Sequence, residues 1–238
     1  MGALPVEKII LALDVEGFKE AEEFVRLLGG KVGVFKVGKK LFTRCGPRVV
    51  EMIHRHKGKV FLDLKFHDIP NTVAGAVEEA CRLKVFMLTL HAMGGKKMMQ
   101  EAVASASRMS HKLSIPSPLI LAVSILTSLK QEDLNDIGMS SPLEESVLRL
   151  AKLSHFAGVH GVIASAKEVV KIKAHFGEDF IVVTPGIRPA GAALNDQKRA
   201  VTPKEALMAG SDYLVIGRPI LEAKDPLKVV EEITAELN

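Results

Sequence analysis

The chain has 238 residues, 47% hydrophobic and 25% charged, with a formal net charge of +4. This balance excludes a disordered or low-complexity chain and allows a large core without disulfide or metal staples. Aromatics make up only 5%, with no Trp and one Tyr, and Lys and Arg are dispersed, so neither stacking platforms nor a basic nucleic-acid patch is present. Dispersed positive charge suits a small anionic ligand.

Along the chain a unit repeats: a short β-branched apolar run, a turn, then an amphipathic stretch. The N-terminal part offers one apolar run, 9–13, which Asp14 ends. It is too short for a signal-peptide core or a membrane span. The Met-Gly start has Val6 where myristoylation needs Ser or Thr. Strands are predicted at 8–14, 32–37, 60–65, 85–91, 119–124, 161–164, 180–184 and 213–216. Helices are predicted at 19–28, 47–56, 72–82, 96–110, 143–155, 167–176, 203–209 and 227–237. A spacing of roughly 20 to 40 residues suits a strand plus its crossover helix. The strands read as continuous apolar runs, as in a parallel sheet buried on both faces.

Eight such units predict an α/β fold, a single (β/α)8 TIM barrel filling one domain, residues 1–238. A doubly wound sheet holding a dinucleotide would carry Gly-x-Gly-x-x-Gly after its first strand. Here that position reads Leu-Ala-Leu-Asp-Val-Glu-Gly. Cys45 and Cys81 are too few for a zinc set and are expected to be reduced thiols. A soluble, cytoplasmic protein is expected, with no nucleic-acid or membrane partner.

In such a barrel the C-terminal ends of the strands face the active site. The first strand ends in Asp14, and the second carries Lys36 within an apolar segment. The third carries Asp63 and Lys65, two apart and so on one face of a strand; Asp68 and Thr72 follow. One isolated pair would be read as a salt bridge at the barrel mouth. Charges at the ends of three strands cost far more to desolvate, and active sites are where such arrangements recur. Alternating Lys and Asp keep one another ionised. Lys65 is then a charged acid able to donate a proton, and Lys36 opposes a divalent metal.

The seventh strand leads into Thr-Pro-Gly-Ile-Arg, the eighth into Ile-Gly-Arg-Pro. Loops after these two strands form the recurrent phosphate site of such barrels. Gly186 and Gly217 allow close backbone approach, while Arg188 and Arg218 offer forked donors. Either Gly-x-Arg or Gly-Arg alone would be an ordinary turn. The segment 189–200 is expected to be a lid, with Gln197 as a further phosphate donor.

Other features are read as structural. His54-Arg55-His56 is taken as solvated surface, and Gly94-Gly95-Lys96-Lys97 as a helix start rather than a P-loop. The methionines are taken as core filler. His91 either faces the site or is a hydrogen-bonded structural histidine.

The segment Asp63-Leu64-Lys65-Phe66-His67-Asp68-Ile69-Pro70-Asn71-Thr72 resembles the Asp-x-Lys-x-x-Asp-Ile-x-x-Thr signature of orotidine 5'-phosphate decarboxylases. The likeness continues through Leu13-Asp14, Phe35-Lys36-Val37-Gly38, His91-Ala92-x-Gly94-Gly95, Leu126-Thr127-Ser128, Thr184-Pro185-Gly186-Ile187-Arg188, Asp196-Gln197 and Ile216-Gly217-Arg218. The resemblance is to bacterial-type members. It implies a cofactor-free homodimer that converts orotidine 5'-monophosphate (OMP) to UMP and carbon dioxide, the last step of de novo UMP biosynthesis. Lys36, Asp63, Lys65 and Asp68 would form the charged catalytic network. Asp68, Ile69 and Thr72 would enter the site of the other subunit. Asp14 and Lys36 would hold ribose hydroxyls, Thr127 would read the pyrimidine, and Pro185 would line the substrate site. Arg188, Gln197, Gly217 and Arg218 would bind phosphate.

Two rivals are a metal-dependent sugar-phosphate barrel and a non-catalytic nucleotide-binding barrel. In the former, a keto-gulonate phosphate decarboxylase has an acidic metal ligand at the position of Lys36.

Overall fold

A computed structural model describes residues 5–189 and 201–237. After a 3-10 turn at Pro5–Lys8, strand β1 (Ile9–Ala12) leads to helix α1 (Phe18–Leu28), and β2 (Val34–Gly38) to α2 (Lys39–Cys45) and α3 (Arg48–Arg55). Then come β3 (Lys59–Phe66), α4 (Pro70–Arg82), β4 (Met87–His91), α5 (Gly95–Leu113) and β5 (Leu119–Val123). Helices α6 (Gln131–Asp136) and α7 (Leu143–Phe156) precede β6 (Gly161–Ile163), α8 (Ala166–Phe176) and β7 (Ile181–Pro185). The described chain ends with α9 (Pro203–Met208), β8 (Tyr213–Ile216), α10 (Arg218–Leu221) and α11 (Pro226–Glu236).

All neighbouring strands are parallel, and β8 pairs with β1, closing the barrel in sequence order. Each of the eight predicted strands and eight predicted helices has its counterpart. Helices α2, α6 and α10 were not anticipated. They are 7, 6 and 4 residues long, too short to show a sustained helical period. The third strand also runs to Phe66, one residue past its predicted end.

The period-2 alternation of each strand sorts its side chains into two cores. Ile9, Leu11 and Leu13 point outward and join Leu62, Leu88, Ile120 and Val182 beneath the helices. Ile10, Ala12, Val34, Phe61, Met87, Leu121, Val183 and Val215 point inward and fill the barrel as a separate apolar plug. Five of the methionines (Met52, Met87, Met98, Met99 and Met109) are buried as expected, but Met93 and Met208 are 48% and 79% exposed. The His54-Arg55-His56 segment is less solvated than expected. Arg55 is exposed, whereas both histidines are half-buried at the end of α3, and burial lowers the pKa of His54.

Candidate active site

Continuing the inward parity past the apolar plug generates the site. Ile10 and Ala12 lead to Asp14, Val34 to Lys36 and Gly38, and Phe61 to Asp63. The plug therefore floors a cavity of about 440 Å³ at the C-terminal ends of the strands. Asp14, Lys36, Asp63, Lys65, Thr127, Pro185, Arg188, Gly217 and Arg218 all line it. With Gly186, ten residues singled out from separate parts of the sequence thus converge on one space.

The charges form a chain across the cavity. Lys36 Nζ lies 3.4 Å from Asp14 Oδ1 and 3.6 Å from Asp63 Oδ2. Lys65 Nζ donates to both oxygens of Asp63 at 2.7 Å. Lys36 is only 8% exposed; its ammonium is held in the barrel by carboxylates on two sides. Gly38 leaves room for it, since a Cβ there would stand 3.2 Å from Lys36 Nζ. Burial pushes the Asp63 carboxyl upward, but the Lys36 and Lys65 ammonium groups and hydrogen bonds from Lys65 and Thr89 outweigh this and hold its pKa below the usual value.

Asp63 and Lys65 share a face as predicted, but not on a regular strand. Leu62 pairs with Leu88 and Phe66 pairs with Leu90, so the register shifts between them. Lys65 has φ 54°, the left-handed region that non-glycine residues seldom enter. Its backbone N–H donates to Thr89 Oγ1 at 2.9 Å, and that hydroxyl donates to Asp63 Oδ1 at 2.9 Å. Thr89 is fully buried. Reading the sequence missed it, although it sits two residues before His91 on the inward parity of β4.

Gly186 (φ 80°) turns the chain after β7, and Arg188 follows, 6% exposed. Gly217 and Arg218 follow β8, with Arg218 opening the short α10. Val123, Ile125, Leu126 and Ile163 supply an apolar wall, and Glu222 stands at the rim; none of these was anticipated. Gln197 and the expected lid, apart from Pro189, lie outside the described residues.

Three expected residues do not line this chain's own cavity. Asp68, Ile69 and Thr72 are all exposed, at the start of α4. Asp68 Oδ1 accepts the Ile69 N–H at 2.6 Å, and Ile69 is 66% exposed. Of the three, Ile69 lines a second groove, between α4 and α5, together with Pro70, Asn71, Glu78, Lys97 and Arg108.

His91 ends β4 with its ring 5.3 Å from that of His67, and it is not among the residues that line the cavity. Burial, then the neighbouring His67, Lys39 and Lys65, lower its pKa from 6.5 to about 4, against a smaller opposing pull from Asp63.

The model of the orotidine 5'-phosphate decarboxylase / HUMPS family matches residues 7–233. An orotidine 5'-phosphate decarboxylase from Syntrophotalea carbinolica is 55% identical over 235 residues, covering 97% of this chain and 96% of that one. One from Geobacter sulfurreducens is 52% identical over 231 residues, with 97% and 96% covered. The crystal structure of orotidine 5'-phosphate decarboxylase from Lactobacillus acidophilus shares 38% identity and superposes with a TM-score of 0.84, covering 97% of this chain and 98% of that one.

Proposed function

The chain belongs to the orotidine 5'-phosphate decarboxylase / HUMPS family; it decarboxylates OMP to UMP in pyrimidine biosynthesis, and we propose that it does so in the charged cavity at the barrel mouth. One observation carries this placement. The Lys36–Asp63–Lys65 array, from β2 and β3, and Arg188 and Arg218, from the loops after β7 and β8, line one and the same cavity.

Arg188, Arg218 and the backbone at Gly217 receive the phosphate, with Gln197 as a further donor. Asp14 and Lys36 hold ribose hydroxyls, and Thr127 meets the pyrimidine edge beside Pro185 and the aliphatic wall. With the phosphate and ribose fixed, the C6 carboxylate points at Asp63 and Lys65. The C6–carboxylate bond breaks, carbon dioxide leaves, and the electron pair stays on C6. No adjacent carbonyl delocalises that pair. The Lys65 ammonium stabilises it through space and then transfers a proton to C6, giving UMP and a neutral amine that regains its proton from water. Asp63 holds Lys65 in place before substrate enters and opposes the incoming carboxylate. Remote phosphate binding supplies the energy that sustains this opposition. The side chains carry the chemistry without a cofactor.

The same reading makes the protein a homodimer with shared sites. Asp68, Ile69 and Thr72 stand exposed at and just before the start of α4, poised to enter the cavity of a second copy. Asp68 then completes the network Lys36–Asp63–Lys65–Asp68. One barrel domain, 1–238, carries the reaction, since its strands run from residue 9 to residue 216 of a single closed sheet. A cytoplasmic location fits the two free thiols, Cys45 and Cys81. Among the described residues no helix is long and apolar enough to cross a membrane.

The test is a spectrophotometric assay of purified protein on OMP with EDTA present. Absorbance should change as UMP forms. An unchanged spectrum would overturn the assignment, and activity abolished by EDTA would favour the metal-dependent rival.

A further inference from the structure

We propose that Thr89 is a positioning residue for decarboxylation, fixing the proton donor through its backbone and the neighbouring carboxylate through its side chain. This rests on the reading of Lys65 as the proton donor.

The reason lies in the strand register. Between the paired rows Leu62–Leu88 and Phe66–Leu90, three residues of β3 stand against one residue of β4. The three are Asp63, Leu64 and Lys65; the one is Thr89. A bulge of this kind leaves backbone groups without ladder partners. Here the Lys65 N–H donates to Thr89 Oγ1 instead, at 2.9 Å. The left-handed turn at Lys65 (φ 54°) accompanies this bond. A lysine has no intrinsic preference for that conformation, so surrounding contacts must hold it.

The hydroxyl then uses its single proton on Asp63 Oδ1, at 2.9 Å. The result is a closed circuit. Thr89 grips the Lys65 backbone and the Asp63 carboxylate, and the Lys65 ammonium reaches that same carboxylate at 2.7 Å. Thr89 does not line the cavity and is fully buried beneath it. It acts by fixing where Nζ starts and where Asp63 stands. Valine matches the shape of threonine but can supply neither bond; serine keeps both.

The experiment compares Thr89→Val and Thr89→Ser with the parent enzyme, at a temperature where circular dichroism shows each folded. Thr89→Val should lower kcat by about 10- to 100-fold, the scale of a small misplacement of a reacting group. Its KM for OMP and its affinity for UMP should stay within about twofold, because the phosphate and ribose contacts are untouched. Thr89→Ser should retain most of the parent kcat. Equal losses in both variants, or a Thr89→Val enzyme with parental kcat, would overturn the proposal. Should Thr89→Val not fold, Thr89→Ala against Thr89→Ser makes the same comparison. Lys65→Ala, assayed in parallel, separates the two readings. If it remains active, the role given to Lys65 fails. If it is inactive while Thr89→Val is fully active, only the role of Thr89 fails.

Discussion

Lys65 reaches back along its own strand to place its ammonium 2.7 Å from both oxygens of Asp63. The ammonium to which the proposed mechanism gives the proton transfer is therefore seated on a carboxylate before substrate arrives. Lys36, 3.6 Å from the same carboxylate, adds a second positive charge. Asp63→Asn removes the charge that seats Lys65 while keeping the side-chain shape. It should lower kcat by about 100-fold or more, the scale of a lost preorganised electrostatic contact. Steady-state kinetics on OMP, with circular dichroism to confirm folding, checks this.

The exposed position of Asp68 leads to a test in trans. Lys65→Ala and Asp68→Asn homodimers should each be nearly inactive. In a 1:1 exchanged mixture half the dimers are mixed, and each mixed dimer holds one site with native Lys65 and native Asp68. Activity should return to about a quarter of the parent value. Verified mixed dimers with no gain would place Asp68 outside the partner's site.

Arg188 and Arg218 reach the cavity from the loops after β7 and β8, where the proposed function seats the phosphate. Replacing either with Ala should raise KM for OMP by about 10- to 100-fold, the scale of one or two charge-assisted hydrogen bonds. The double variant should lose more than either single one. A KM that does not move for Arg188→Ala and Arg218→Ala would place the phosphate elsewhere.

His91 gives a pH prediction. Its pKa in the folded chain is about 4 rather than 6.5. The unfolded chain therefore takes up its proton first, and stability falls as pH drops from about 6.5 to about 4. Asp63, held below its usual value of 3.8, adds stability above that pH and gives it up in stronger acid. An NMR titration should place the His91 midpoint near 4, and His91→Gln should flatten the stability curve between pH 6.5 and 4. A midpoint near 6.5 would contradict this account of the His91 surroundings.

Much of the site was legible in the sequence because strand alternation is rigid. Once Ile10, Val34 and Phe61 are assigned inward, Lys36, Asp63 and Asp14 must follow them to the mouth. The two glycine–arginine turns were legible because the fold places the seventh and eighth loops together. Thr89 was not. The alternation of Asp63-Leu64-Lys65-Phe66 is compatible with a regular strand, and nothing local reveals that three residues will oppose one. The bulge arises between β3 and β4, in tertiary pairing. Helices α2, α6 and α10 stayed hidden because one or two turns carry too little periodicity.

In the proposed mechanism Lys65 stabilises and protonates C6. The most direct measurement is the kcat of Lys65→Ala on OMP, with UMP affinity measured on the same preparation. A loss of at least about 1,000-fold in kcat is predicted, the combined scale of general acid catalysis and charge stabilisation, with UMP still bound. A folded Lys65→Ala enzyme within tenfold of the parent kcat would contradict it.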